Sequence, residues 1–505
     1  MNPHENKKNQ QIKIAYIPEK WYNVVTTTNK NHREVYAMAT ILAQKLAQAQ
    51  EANDAVRNFM RRFEVGKLLS VCRASKSKGF SVVELFRFLL CCMFSQTSMY
   101  MSMRVGSFKE SFSKNTIYRF CSDARINWHK FVRLLSAKVV SEFFRPATSD
   151  KRLEYFIFDD TPFAKSGKKT ELVAKFFNHV SMKYERGFRI LTLLWSDEYS
   201  SVPVDFCPLS SGKDELLTCP AKRCDGRSLA GKIRRQARQK APEIMMDMLK
   251  SAMKAGHKAN YVLFDSWFAT PKGITDIKEK TGLDVLAMLK KSGKVFYEYG
   301  DQQLDLKRIY ALNRKRPGRA KYLLSVEANL IQKEKGQIVS RLPVRIVFVR
   351  NRNKRKDWIA LISTDMEISE EEIIRRYGVR WNIEVYFKTC KQQLKLLKEC
   401  GSPSFDAFTC HLAIVCVRYM ILSVVQRANT DDRTLGELFC LMTAEVAEVS
   451  YNATLSLILE ALLDAVRETF AVSDEQMETF TKAFISRLPD YLRASFGVSD
   501  TFQAA

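Results

Sequence analysis

The chain has 505 residues, of which 46% are hydrophobic and 27% are charged. This composition supplies enough apolar material for a large core and excludes wholesale disorder, and the length predicts about three domains. Lysine and arginine outnumber aspartate and glutamate by 81 to 55, which gives a formal net charge of +26 at pH 7. Such a field attracts polyanions, so nucleic acid is the leading partner, and a merely solvated basic surface is the alternative.

The N-terminal region, residues 1–150, is predicted to be mainly helical. Ser113 has the position of an N-cap for a helix over Lys114–Cys121, whose surface would carry two cations, an asparagine and a tyrosine. Such a helix could enter the major groove of DNA as a recognition helix. A surface helix of a bundle is the alternative, and the residues alone favour that alternative.

Two short apolar strands are each predicted to end at aspartate. Tyr155–Phe158 is followed by Asp159 and Asp160, and Tyr261–Phe264 is followed by Asp265. Paired carboxylates are the hard oxygen ligands that Mg²⁺ takes, and two such ions can serve phosphodiester chemistry. For any single aspartate at a strand end, a turn or a helix cap is the more common role.

The adjacent acids Asp159 and Asp160 are not both expected to face one site, because side chains alternate in direction along a strand. The two strands share the same order of residue types, which pairs Asp159 with Asp265. Asp159 is therefore the first choice and Asp160 the alternative. A third acid would complete a metal site, and local spacing does not dictate its position.

Further elements are predicted from periodicity in chain order. They are strands over Phe188–Trp195 and Val202–Phe206, a helix over Pro242–Lys254, and short strands over Val295–Tyr297, Tyr322–Val326, Val344–Val349 and Trp358–Ile362. Ser369 and Glu372 have the spacing of a capping box, which opens a helical stretch that reaches Leu397. The most apolar stretch, Phe408–Val425, is interrupted by His411 and Arg418, which favours a buried helix over a membrane span.

The cysteines and the N-terminus indicate the compartment. Many of the 12 cysteines lie in apolar runs, which is typical of buried free thiols rather than of a disulfide framework. Cys219 and Cys224 have no second Cys or His pair nearby, so a zinc knuckle is not expected. Residues 1–11 lack the apolar core of a secretory signal. Together these features predict a cytoplasmic protein without a membrane span.

A tyrosine, an arginine, a glutamate and a lysine follow one another at a defined spacing. Tyr377, Arg380, Glu384 and Lys391 are separated by two, three and six residues. At about 100° per residue, the glutamate and the lysine share one helix face, and the other two join them only if Gly378 does not break the helix. That face would carry a carboxylate for metal beside cations and a phenol for DNA phosphates. A solvated charged face of an amphipathic helix is the alternative.

This spacing resembles the Tyr-Arg-Glu-Lys signature of DDE transposases from bacterial insertion sequences, in the IS-four-type family. Asp159-Asp160-Thr161 and Phe264–Phe268 resemble its two aspartate motifs, so the resemblance covers Leu153 to Lys391 in order. It implies an α/β fold with an RNase H-like catalytic core, a mixed sheet flanked by helices, a β-rich insertion, and helical N- and C-terminal regions. The implied regions are 1–150 for binding DNA ends, 151–284 and 366–425 for the core, 285–365 for the insertion and 426–505 for dimerisation.

The resemblance also implies a chemistry. Asp159, Asp265 and Glu384 would be the catalytic metal ligands, and Tyr377, Arg380 and Lys391 would bind DNA. Two Mg²⁺ ions, with Mn²⁺ as a substitute, would serve as cofactors, and no nucleotide cofactor is implied.

The implied activity is cut-and-paste movement of an insertion sequence. A homodimer would cleave double-stranded DNA at the terminal inverted repeats and join the 3′-hydroxyls to target DNA, in a bacterial cytoplasm near the nucleoid. Two alternatives stay open: a catalytically inactive DNA-binding regulator derived from a transposase, and an RNase H-like nuclease without strand transfer.

Overall fold

The structure, a computed structural model, describes residues 54–94, 112–148, 152–178, 181–317, 320–351, 357–428 and 472–487, together with positions 463, 466, 469 and 470. Asn53–Thr443 forms one compact unit, and the helix Asp474–Ser486 lies in a second unit. The expectations for residues 1–53 and 429–462, which belong to the predicted DNA-end-binding and dimerisation regions, lie outside the described residues.

A single mixed sheet organises the larger unit. Its strands are β1 (Tyr155–Ala164), β2 (Ala174–Asn178), β3 (Lys183–Ser196), β4 (Ser201–Leu209), β5 (Tyr261–Phe264), β6 (Asp284–Leu289), β7 (Tyr297–Tyr299), β8 (Gln302–Leu304), β9 (Leu324–Glu334), β10 (Gln337–Arg350) and β11 (Trp358–Ser363). They lie in the order β2-β3-β1-β5-β6-β11-β10-β9-β7-β8, with β4 paired to β3. The ladders of β5 with β1 and with β6 are parallel, whereas β1 with β3 and β11 with β6 are antiparallel. The predicted mixed sheet is confirmed.

Helices flank this sheet. They are α1 (Val65–Val71), α2 (Val82–Cys91), α3 (Lys114–Cys121), α4 (Trp128–Val139), α5 (Leu229–Gln236), α6 (Ala241–Lys254), α7 (Pro271–Thr281), α8 (Leu306–Leu312), α9 (Glu370–Gly378), α10 (Trp381–Gln392) and α11 (Phe405–Ala428), with α12 (Asp474–Ser486) in the second unit. Helices α4, α6 and α11 pack on β4, whereas α7 and α9 pack on β6 and α10 packs on β1. The bounds predicted for α3 are confirmed, although the Ser113 Oγ atom lies 3.2 Å from Thr116 Oγ1 and does not cap the backbone.

Strand β1 continues through Asp159 and Asp160, which corrects the prediction that the strand stops at these acids. The antiparallel ladder with β3 extends along the whole of β1. The parallel ladder with β5 covers only Tyr155–Ile157. The two acids therefore lie inside a strand, just beyond the point where the neighbouring parallel strand ends. Pairing with β3 keeps the strand extended past the acids. The residues of β1 alone do not indicate this pairing, because β3 lies elsewhere in the sequence.

The strands of the predicted β-rich insertion lie in the same sheet as β1 and β5. Strand β6 begins at Asp284 and pairs in parallel with β5, so the expected boundary between residues 284 and 285 falls at the start of a core strand. Strand β11 continues the sheet by pairing antiparallel with β6. Of the run Val295–Tyr297, only Tyr297 belongs to a strand, β7. Short buried strands have the same apolar pattern whether their neighbours are parallel or antiparallel, so the local pattern does not determine which strands they pair with.

The segment after Ser369 forms two helices rather than one continuous helix. The Ser369 Oγ atom accepts a hydrogen bond from the Glu372 N–H at 3.3 Å, so Ser369 caps the helix as one half of the predicted capping box, while the Glu372 carboxylate pairs with Arg375 and Arg376. Helix α9 ends at Gly378, and helix α10 begins at Trp381 and ends at Gln392, short of the predicted end at Leu397. The chain then turns with Lys395 in the left-handed region at φ 59°. The break brings Tyr377 and Arg380 together at the junction of two helices.

Helix α11 contains the apolar stretch that was predicted to be buried. It is the one helix in the described residues long and apolar enough to span a membrane, and 94% of its apolar window is buried inside the protein. The side chain of Arg418 is fully buried and donates hydrogen bonds to the Glu399 carboxylate at 2.8 Å and to the Leu394 carbonyl at 3.1 Å. Packing against α4 and β4 therefore accounts for the apolar character of this helix.

The cysteines that the structure describes are free thiols, as predicted. Burial raises the pKa of the Cys91 thiol to about 11 and that of the Cys92 thiol to about 12. These thiols therefore stay protonated at neutral pH and act as small apolar groups in the core.

Candidate active site

The parallel ladder between β1 and β5 sets Asp159 beside Asp265. Ile157 lies opposite Leu263, and each aspartate follows two residues later in its own chain segment. The two acids therefore occupy corresponding positions just beyond the paired part of β1 and β5. Paired strands lie about 4.8 Å apart. Asp265 is held at the turn after β5, where its Oδ1 atom accepts a hydrogen bond from the Trp267 N–H at 2.9 Å.

The carboxyl group of Asp159 is buried in a negative environment. Burial, together with the charge of Asp265, raises the pKa of Asp159 from its ordinary 3.8 to about 7, whereas the charge of Arg380 lowers it. The side chain is only 19% exposed. The carboxyl group therefore holds its proton at a higher pH than an exposed aspartate does.

Asp160 has a different partner from Asp159. The Nη2 atom of Arg189, on β3, lies 2.7 Å from the Asp160 carboxylate. The guanidinium of Arg189 also lies over the ring of Trp267, 5.1 Å from its centroid. Asp160 therefore belongs to a structural contact between β1, β3 and the turn after β5, while Asp159 faces Arg380.

Arg380 joins the first strand to helix α10. Its Nη2 atom lies 2.6 Å from Glu384 Oε1, and its Nη1 atom lies 3.5 Å from Asp159 Oδ2. The Arg380 side chain is 16% exposed, and the Glu384 side chain is 37% exposed. Through this guanidinium, the structure brings the first predicted aspartate and the predicted glutamate to one place.

Tyr377 and Lys391 border the same place. The guanidinium carbon of Arg380 lies 5.8 Å from the centroid of the Tyr377 ring, and burial raises the pKa of the Tyr377 phenol to about 12. Burial lowers the pKa of Lys391, and the charge of Asp159 opposes that shift. In the described part of the chain, the Lys391 ammonium group has no hydrogen bond or ion pair, so its charge is available to a phosphate.

Arg189 and Trp267 are the residues of this region to which the sequence assigned no role. Arg189 is an isolated cation inside the apolar run Phe188–Trp195, and Trp267 follows Asp265 by two residues. A single charged residue in an otherwise apolar strand predicts that the charge is paired with an acid inside the protein. The sequence does not identify that acid, because it comes from another strand.

The sequence profile of a family described as DDE superfamily endonuclease matches residues 74–352, more than half of the chain. The chain belongs to the DDE superfamily of endonucleases. Asp159 and Asp265 lie inside the matched residues of this DDE superfamily endonuclease, whereas Glu384 lies beyond them.

Two further comparisons add little to the family assignment. No curated protein matches the sequence. Among solved structures, the chain is similar to one from the Drosophila P element transposase strand transfer complex, with 10% identity and a TM-score of 0.20. The match covers 74% of this chain and 66% of that chain, just under two thirds of its length. No correspondence of fold or mechanism follows from a likeness at this level.

Endonucleases of the DDE superfamily generally use divalent metal ions. Asp159, Asp265 and Glu384 supply the carboxylate oxygens that hard divalent cations prefer, and the pKa of Asp159 is raised by burial and by the neighbouring charge of Asp265. Within the described ranges, no three His, Cys, Asp or Glu side chains are placed to hold one ion as they stand. The residue types of this DDE endonuclease therefore fit a divalent ion, while Arg380 is the cation that contacts Asp159 and Glu384.

Proposed function

We propose that this DDE superfamily endonuclease is a transposase that cuts DNA at the ends of an insertion sequence and joins the 3′-hydroxyls to target DNA. The observation that carries the proposal is that Asp159 lies beside Asp265 across the β1–β5 ladder and shares the Arg380 guanidinium with Glu384. The Tyr-Arg-Glu-Lys spacing supports the IS-four-type branch of bacterial transposases.

The three acids would hold the metal. Asp159, Asp265 and Glu384 are its ligands in this proposal, and Mg²⁺ is the expected ion, with Mn²⁺ as a substitute. When bound, two such ions activate the attacking oxygen and stabilise the leaving oxygen of a phosphodiester. Because burial and Asp265 raise the pKa of Asp159 to about 7, the protonated form of this carboxyl group has to lose its proton before it can act as a ligand.

The cations and the phenol would hold the DNA strand. Lys391 offers an ammonium group without a hydrogen bond or ion pair in the described residues, and Arg380 offers a planar guanidinium that suits phosphate oxygens. The Tyr377 phenol stays protonated, because its pKa is about 12, and it can donate a hydrogen bond. These three groups border the acids, so a phosphate bound by them would lie next to the metal ligands.

The rest of the surface favours double-stranded DNA as the partner. The net charge of +26 would attract the polyanion from any direction. On helix α3, Tyr118 is 47% exposed and Arg119 is also exposed. Lys76 and Lys78, in the loop before α2, line the same cavity as Arg119. We propose this surface of the N-terminal region as the reader of the transposon ends.

We propose that the protein acts as a homodimer on DNA, in a bacterial cytoplasm near the nucleoid. Two transposon ends have to be held together for joint insertion, and two copies of one chain supply two equivalent sites. Light scattering on the purified protein with DNA of its own terminal repeats would test the stoichiometry. If a protein that stays monomeric on DNA still inserts both transposon ends into target DNA, the dimer proposal is wrong.

The function is tested by cleavage of the inverted repeats that flank the coding sequence. We expect Mg²⁺-dependent nicking by the wild type and no nicking by Asp265→Ala or Glu384→Ala, with DNA binding retained in both variants. Asp247→Ala, which removes an exposed aspartate of helix α6, is the matched control and should cut like the wild type.

Each outcome separates the proposal from one alternative. Joined products with target DNA support transposition, whereas cleavage without joining supports a nuclease without strand transfer. Specific DNA binding by the wild type without any cleavage supports an inactive regulator. If Asp265→Ala and Glu384→Ala cut as well as the wild type, the site assignment is wrong.

A further inference from the structure

Arg380 is the cation that contacts the proposed metal ligands. Its guanidinium contacts carboxylates from two different elements, Asp159 on β1 and Glu384 on α10, at 3.5 and 2.6 Å. The side chain is 16% exposed, so these contacts are largely shielded from water. A charge pair of this kind is costly to break unless each partner finds a replacement.

The guanidinium is incompletely satisfied where it lies. Among the described residues, its Nε atom is buried and has no hydrogen-bond partner. A buried donor without a partner costs free energy, so the position between the acids is not optimal for Arg380. A phosphate offers a guanidinium two parallel hydrogen bonds to strong acceptor oxygens, and one of them can go to the Nε–H that has no partner at present.

The acids are also incompletely satisfied. Asp159 is buried beside Asp265, and the single positive charge of Arg380 is shared between Asp159 and Glu384. A divalent ion carries twice that charge and takes several oxygen ligands at once. Both partners of the present contact therefore gain if a phosphate takes the guanidinium and a divalent ion takes the carboxylates.

We infer that Arg380 is a resident counter-ion that keeps the acids from binding metal until a DNA phosphate takes its guanidinium, so that DNA and metal bind with positive coupling. This inference rests on the proposed function. In the free protein, metal has to displace the guanidinium from Asp159 and Glu384. In the DNA complex, the guanidinium is already on the phosphate. Because coupling is reciprocal, metal should strengthen DNA binding by the same factor as DNA strengthens metal binding.

The test measures Mn²⁺ binding to the full chain by electron paramagnetic resonance of the free ion, with and without a duplex of the terminal repeat. We expect Arg380→Gln to bind Mn²⁺ about tenfold more tightly than the wild type when DNA is absent. The DNA phosphates themselves can add ligands to the ion in every variant. The informative quantity is therefore the factor by which DNA increases the affinity for Mn²⁺. We expect this factor to be about tenfold larger in the wild type than in Arg380→Gln.

Two further variants separate the bridging contact from charge alone. Arg380→Lys keeps the positive charge but has no planar fork to reach both carboxylates, so it should bind Mn²⁺ more tightly than the wild type without DNA. Arg375→Gln is the matched control, because Arg375 is an exposed arginine of α9 that pairs with Glu198 and Glu372, outside the proposed ligand set. It should leave both the affinity and the coupling unchanged.

The outcomes distinguish this inference from the proposed function. Equal strengthening by DNA in the wild type and in Arg380→Gln overturns the inference, whether or not the variant is fully stable, and leaves the proposed function standing. An affinity of Arg380→Lys equal to that of the wild type shows an effect of charge alone and also overturns the inference. If the DNA-bound wild type binds no Mn²⁺ at all, both the inference and the metal-dependent function fail.

Discussion

The Arg189 guanidinium lies 2.7 Å from the carboxylate of Asp160. This contact separates two adjacent aspartates that the local sequence presents as near equivalents. Arg189 also lies over the ring of Trp267, beside Asp265, at a distance where a cation and an aromatic ring attract each other. Asp160 is thereby tied to β3 and to the turn after β5, and Asp159 is left to face Arg380.

The first prediction compares the two aspartates directly. Asp159→Asn should lower single-turnover cleavage of end DNA in Mg²⁺ by about 10³-fold or more, because a neutral amide is a poor ligand for a divalent ion. Asp160→Asn should lower it by less than about tenfold, since its amide oxygen can still accept a hydrogen bond from Arg189. Fluorescence anisotropy checks that both variants still bind the DNA. The reverse order of losses would show that Asp160 is the ligand.

The second prediction concerns the stability of the protein against pH. The pKa of Asp159 is about 7 in the folded protein and near 3.8 in the unfolded chain, so the folded state holds more protons between these values. The free energy of unfolding therefore falls as pH rises from about 4 to about 7. Above about pH 7 the folded protein bears the full destabilisation that comes from ionising the buried Asp159 carboxyl group.

Asp159→Asn removes this cost. At about pH 8 the variant should be more stable than the wild type by on the order of 1–3 kcal/mol, and the difference should shrink towards about pH 4. Urea unfolding at several pH values measures it. A difference that stays constant with pH, or that grows as the solution becomes more acidic, would contradict the raised pKa.

The third prediction concerns Lys391 as a phosphate contact. Lys391→Ala should weaken binding to end DNA and reduce the slope of the logarithm of affinity against the logarithm of salt concentration by about 1, because one counterion fewer is released. Lys254→Ala is the matched control: Lys254 is exposed at the end of α6, before β5 begins, whereas Asp265 follows the other end of β5. Titrations at several salt concentrations provide both slopes. Equal slopes in the wild type and Lys391→Ala would count against a phosphate role.

The fourth prediction concerns the buried ion pair of helix α11. Arg418→Met should destabilise the protein by about 3 kcal/mol, because it removes the closer of the two cations that, in the described residues, pair with the largely buried Glu399 carboxylate and leaves only Lys395, 3.5 Å away. The double variant Arg418→Met with Glu399→Gln should recover part of this loss. The control Lys398→Met changes an exposed cation next to Glu399 and should have little effect. Urea unfolding of the wild type, Arg418→Met, Glu399→Gln and the double variant tests the coupling, and additive losses would mean that the two residues do not depend on each other.

The local sequence pattern predicted the bounds of an element correctly where residues at the ends of that element stop it. The apolar run Tyr261–Phe264 ends at polar residues on both sides, and it is β5 residue for residue. The helix Lys114–Cys121 follows its predicted N-cap position and has its predicted length. Local pattern failed for β1 and β6, because their extents depend on ladders with strands far away in the sequence.

The amino-acid sequence by itself determined which chemical groups are available: a strongly basic chain, two strand-associated aspartate motifs, and a tyrosine, arginine, glutamate and lysine at a recognisable spacing. Only the tertiary structure decided that Asp160 binds Arg189 and that Arg380 lies between Asp159 and Glu384. The physical reason is that electrostatic and hydrogen-bond energies depend on distance in space and on burial, whereas spacing along the chain determines neighbours only within one helix or one strand.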